Sequence, residues 1–188
     1  MDIQLNTLLV ALMFVTILSM GIGNILTSLA DIFNQATPSR RERIHIGWIV
    51  LMLLVHFNLF WNTKAILDVE HWRFVGFLLT MAGPVLLFFA TSILLTDPPG
   101  DFKPDLDSFF EGLGRRFFLM FAVVQAWVLW VGYSMLGGFE AEDLANVPFM
   151  ILAFILAFNP GEKIQRMGIV LAWGLVLATM AVRWLAAS

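Results

Sequence analysis

Residues 74–95 read FVGFLLTMAGPVLLFFATSILL, twenty-two consecutive positions without an ionisable side chain. A helix rises about 1.5 Å per residue, so this run would reach about 33 Å, the thickness of a bilayer's hydrocarbon core. A lipid-exposed strand of that length would leave its backbone groups unpaired, whereas a helix satisfies them internally. The stretch therefore reads as a membrane-spanning helix. Pro84 cannot donate a hydrogen bond to the Thr80 carbonyl, and Gly83 lies beside it, so a kink is expected near the middle.

Charge and helix breakers close this run on both sides, from Asp68 to Arg73 before it and at Asp97-Pro98-Pro99-Gly100 after it. Five further apolar runs lie outside those limits: Thr7–Ile32, His45–Ile66, Phe117–Leu136, Leu144–Asn159 and Met167–Leu185. They are separated by Thr37-Pro38-Ser39 with Arg40, Arg41 and Arg43, by Gly137-Gly138, and by Asn159-Pro160-Gly161. The pattern predicts an all-α, polytopic transmembrane bundle of six helices forming a single domain over residues 1–188. The run at 144–159 covers only about 24 Å at the helical rise, so a re-entrant segment is its alternative reading. A cleaved leader is not expected at the first run, because Met1 to Asn6 holds Asp2 and neither Lys nor Arg.

Composition agrees. The chain is 60% hydrophobic and 13% charged, against about 25% charged residues in soluble domains. Its mean hydropathy is +0.85. So little charge cannot coat a water-facing surface, and the lipid bilayer is the expected partner of most of the exterior. The net charge of −3 and the lack of a basic stripe argue against nucleic acid. With no cysteine there is no disulfide, thiolate chemistry or cysteine-held metal.

Lys and Arg in the short loops set orientation. Arg40, Arg41, Arg43, Lys103, Arg115, Arg116, Lys163 and Arg166 fall on one side, and Lys64, Arg73 and Arg183 on the other. The expectation is six passes with both termini on the non-cytoplasmic side. Between the third and fourth runs, Leu106, Phe109, Phe110 and Leu113 recur at i, i+3, i+4 and i+7. That spacing predicts a short amphipathic helix near 104–113 lying on the cytoplasmic interface, read first as a membrane-resting connector.

Three polar features fall within the runs. Ser19, Gly23, Thr27 and Asp31 recur every four residues, flanked by Asn24 and Ser28. Small residues at that interval suit a tight helix seam, and a polar pathway wall is the alternative. His56 stands near mid-span, where an ionisable group is costly and reads as a functional-site hypothesis. Asn58 and Asn62 share a face, but two residues turn a helix through about 200°, so His56 points elsewhere. By depth, its candidate partners are Asn24, Gln125 and the Thr80–Pro84 break. Such a cluster, with Asp31 nearer the span's end, would suit a proton-linked or ion-conducting path; the plainer reading is a neutral His joining helices. Trp127 and Trp173 lie deeper than the other tryptophans, where packing is the first reading.

Other chemistry finds little support. His45 and His71 sit at opposite span ends, which disfavours two facing haem ligands. No Gly-rich phosphate loop, His-Glu-x-x-His or Gly-x-Ser-x-Gly is present. Asp105, Asp107 and Glu111 read as a solvated loop face rather than a cation site. No cofactor, metal or enzymatic activity is expected.

The segments Trp72-Arg73-Phe74, Gly83-Pro84-Val85-Leu86-Leu87-Phe88, Asp97-Pro98 and Phe109-Phe110-Glu111, with Arg115-Arg116-Phe117-Phe118, resemble a group of small bacterial six-span integral membrane proteins without an assigned activity. The resemblance implies a bacterial inner membrane and carries no site residues. The functional expectation is a small channel or transporter for an ion or small solute, working as a homo-oligomer. The rival is a non-catalytic accessory or lipid-contacting subunit of a larger membrane complex.

Overall fold

The computed structural model of the chain describes residues 5–34, 40–67, 69, 71–95, 113–135 and 146–187. Among the described residues the regular elements are helices: α1 (Leu5–Phe33), α2 (Arg40–Trp61), α3 (Lys64–Leu67), α4 (Phe74–Leu95), α5 (Leu113–Met135), α6 (Asn146–Phe158) and α7 (Glu162–Ala187). Five of them, α1, α2, α4, α5 and α7, are long and apolar enough to cross a membrane. The short interfacial helix expected near 104–113 lies outside the described residues, apart from Leu113, which begins α5.

α4 occupies 74–95, the limits its flanking breakers predict. α2 stops at Trp61, short of the apolar pattern that runs to Ile66. There the Thr63 amide donates to Phe60 O at 3.1 Å, a tighter turn than the α-helical one. The Thr63 hydroxyl also bonds back to Leu59 O at 3.3 Å. The chain then restarts as the four-residue α3.

Successive helices run in opposite directions. The Thr7 hydroxyl donates to Val69 O at 3.1 Å, and Trp72 Nε1 donates to Thr7 Oγ1 at 3.1 Å. These bonds tie the start of α1 to the segment between α3 and α4. The helices close into a ring in which α1 contacts α4, α4 contacts α5, α5 contacts α6, α6 contacts α7, α7 contacts α2 and α2 contacts α1. α2 also touches α4, and its Trp48, Ile49, Leu51, Met52 and His56 are almost wholly buried.

Close approach in the ring relies on missing side chains. A Cβ at Gly47 would meet Ile169 of α7 at 3.1 Å, and one at Gly168 would meet Leu156 of α6 at 2.5 Å. Helices in lipid gain little from hiding apolar surface from one another, so such contact supplies the dispersion that holds them. The outer faces carry Leu12, Met20, Phe89, Val123, Ile151, Val170 and Leu177 in exposed positions, as lipid solvation demands.

α6 differs from the rest. It has 13 residues, about 20 Å of helix. The Arg115 guanidinium lies 4.9 Å from the Phe158 ring centre, Phe121 meets Phe149 edge-on at 6.5 Å, and Gln125 Nε2 donates to Asn146 Oδ1 at 3.4 Å. The three contacts fix one antiparallel register. α6 therefore begins level with Gln125, the middle of α5, and covers only that helix's first half. α5 continues to Met135, ten residues or about 15 Å farther.

Candidate functional site

Each residue singled out in the sequence has a definite place. His56 is completely buried, and its Nδ1–H donates to Met52 O one turn back at 2.8 Å. A carbonyl can only accept, so in the neutral ring Nε2 carries the lone pair. That atom has no hydrogen-bond partner. It rests on the bare backbone of Gly21 in α1, where an added Cβ would collide with it. His56 thus hydrogen-bonds to none of Asn24, Gln125 or Thr80. It fills the seam between α1 and α2.

Gly21, like Gly83 below, is a position where a side chain has no room. Gln125 nevertheless stands at the depth expected of it. Trp48 meets Phe118 at 5.0 Å and Phe117 at 6.0 Å between ring centres. His56 lies eight residues beyond Trp48, and Gln125 eight residues beyond Phe117, on helices running the same way. The two are level but serve different seams.

The Thr80–Pro84 break has its own partner. Thr80 and Pro84 are buried in α4. Trp127 of α5 lies over Gly83, where a Cβ would strike its ring, and donates from Nε1 to Leu79 O at 2.7 Å. The indole supplies a donor at the turn where proline removes one. Gly83, expected as part of a kink, is also the seat of Trp127, in line with the packing reading of that tryptophan.

The stripe on α1 faces outward. Ser19, Gly23, Asn24, Thr27 and Asp31 are exposed, and an added Cβ at Gly23 would touch nothing within 4 Å. Thr27 bonds back to Gly23 O at 3.0 Å. The inward face of the helix is instead Thr7, Val10, Ala11, Phe14, Leu18, Gly21, Ile25 and Leu29. The expected seam does not form within the described bundle.

A polar site does exist, on the side of α2 turned away from α1. A partly open cavity of about 140 Å³ lies between α2, α5, α6 and α7. Its polar lining is Asn58 from α2, Asn62 in the turn just past its end, Gln125 from α5, Asn146 from α6 and Thr179 from α7. Leu54, Val55, Phe121, Val124, Phe149 and Val176 supply much of the apolar wall. Asn58 and Asn62 reach it because residues four apart stack on one helix face. Gln125 is only 5% exposed and braces the start of α6 through Asn146. The cavity lies beside the start of α6, level with the middle of α5.

Below the cavity the bundle is closed by rings. Phe121, in the wall, stacks on Phe117 at 6.1 Å with planes 14° apart; Phe117 meets Phe118 at 4.9 Å, and Phe118 meets Trp48. All four rings are almost fully buried. The site is a pocket with a polar wall and an aromatic floor. No known protein family, characterised protein or solved structure matches this chain.

The signals that could have led to this site were partly visible. Asn58 and Asn62 share a face by spacing alone, and Gln125 is polar within a long apolar run. Asn146 and Thr179 give no sequence signal of their own, since one sits at a helix start and the other resembles any back-bonded threonine. Thr179 does bond back to Leu175 O, at 2.8 Å. No charged side chain is among the residues named in the lining.

Proposed function

We propose that this chain is a small multi-pass channel or transporter of the bacterial inner membrane that takes up a small solute at the cavity between α2, α5, α6 and α7. The observation that carries the reading is a mid-depth polar pocket ending on an aromatic floor. Such a pocket can hold a solute from one end of the bundle, and passage to the other end requires the rings to part. Six passes with both termini outside remain the preferred topology, with α6 as the shortest. In that orientation the pocket opens to the non-cytoplasmic side. His56, Asn24 and Asp31 then take no part in the path, and Gln125 does.

Liposome swelling with the purified protein tests this. Uptake of at least one small solute should exceed that of protein-free vesicles, and Phe121→Ala, which thins the floor, should raise it severalfold. Swelling identical to empty vesicles for every solute and ion, with both forms folded, would remove the transport reading.

One observation favours a second reading. Asn24, at mid-span, and Asp31, near the end of α1, face outward, and a polar group set against lipid is expensive. An assembly that covers this face, either a homo-oligomer or a larger membrane complex holding the chain as an accessory subunit, would remove that cost. Cross-linking through an introduced Asn24→Cys in native membranes distinguishes the two by the mass of the product.

A further inference from the structure

We infer that the cavity binds an uncharged amide- or urea-type solute of about six to ten non-hydrogen atoms, with Gln125, Asn58 and Asn62 as the polar contacts. The inference rests on the reading of this cavity as a solute site and adds the chemical class.

Size sets the first limit. The space of about 140 Å³ is close to that of an engineered apolar cavity of ~150 Å³ that holds a benzene ring. A six-membered ring with one or two substituents fits, and a disaccharide or a lipid headgroup with its glycerol does not.

Charge sets the second. The named lining holds four carboxamides and one hydroxyl but no acid, base or imidazole. A net charge brought to mid-depth without a counter-charge would lose far more hydration than neutral dipoles return. Carboxamides instead donate and accept at adjacent atoms, the pattern that an amide, lactam, urea or pyrimidine edge presents in reverse. Gln125 makes this demand specific. It is almost fully buried, lines the cavity, and uses its nitrogen on Asn146. With the nitrogen committed to Asn146, the carbonyl oxygen is the atom Gln125 can offer to a solute N–H. The apolar part of the lining, with Phe121, Phe149, Val124 and Val176, suits the flat or aliphatic body of such a molecule.

Ligand-observed NMR on the full chain in lipid nanodiscs provides the test, with 2-piperidone and uracil as neutral amides. Cyclohexanone serves as the ring lacking a donor, and benzoate as the charged ring. Piperidone and uracil should compete for one site, with cyclohexanone at least tenfold weaker and benzoate without saturable binding. Asn58→Leu and Gln125→Leu should each weaken the amides about tenfold or more, while Asn24→Leu, on the outer face, changes nothing. Asn58 is solvent-facing in the pocket, so its variant keeps the assay decisive if Gln125→Leu fails to fold. Cyclohexanone or benzoate binding as tightly as piperidone overturns the inference, as does amide binding indifferent to Asn58→Leu. The two readings fail separately: amide binding without flux sinks transport alone, and ion flux without amide binding sinks the solute class alone.

Discussion

α2 has two polar faces at nearly the same depth, and their fates are opposite. On one, His56 is pressed against Gly21 and sealed from every partner except Met52. On the other, Asn58 and Asn62 open onto a cavity large enough for a small molecule. The difference lies in what stands across from each face. α1 is 29 residues long and places a glycine opposite the ring, so the seam closes completely. α6 begins level with the middle of α5, and the cavity lies beside that start. An ionisable residue in a span marks a site only where the neighbouring helices leave room; here the rarer residue became packing and the commoner carboxamides line the pocket.

The largest effect should come from breaking the sealed side. Gly83→Leu drives a side chain into Trp127 and dislodges the donor on Leu79 O, combining overpacking of about 1–3 kcal/mol with a lost hydrogen bond of about 1 kcal/mol. Its unfolding midpoint in detergent should fall sharply, and an unchanged midpoint would refute the proposed close fit. Gly21→Ala should cost somewhat less, about 1–3 kcal/mol, because only the His56 ring must yield. His56→Ala makes that room, so the double variant should be more stable than the sum of the two single losses predicts. Strict additivity would show that the two residues do not meet.

The open side should respond least in stability. Asn58→Leu is expected to change unfolding by no more than about 1.5 kcal/mol, the net worth of a single hydrogen bond. The same variant should lose solute uptake, so that stability and function separate across one helix. A large loss of stability from Asn58→Leu would mean that the pocket is a structural contact and would erase the contrast.

Much of this was legible in the sequence. The uncharged run at 74–95 becomes α4, whose start follows the charge and breakers before Phe74. The alternation of runs and loops gave the helices, and the depth of Gln125 followed from its place in its run. What each side chain faces was not legible. Periodicity separates His56 from Asn58 by about 200° but does not say which face meets a glycine and which meets a gap. Ser19, Gly23, Asn24 and Thr27 have the spacing of a seam, yet in this bundle Gly21 is the glycine that packs, and the stripe faces out. The level at which α6 starts was also hidden. It is set by Phe121 against Phe149 and by Gln125 against Asn146, pairs contributed by two separate runs.

The halfway start of α6 has an electrical consequence. The amino end of a helix carries about half a positive elementary charge, and here that end, at Asn146, belongs to the pocket lining. A cation placed there would be disfavoured by that partial charge, while a molecule with no net charge would not. For the solute site proposed above, the shared position of a helix start and a pocket would favour a neutral molecule over a cation.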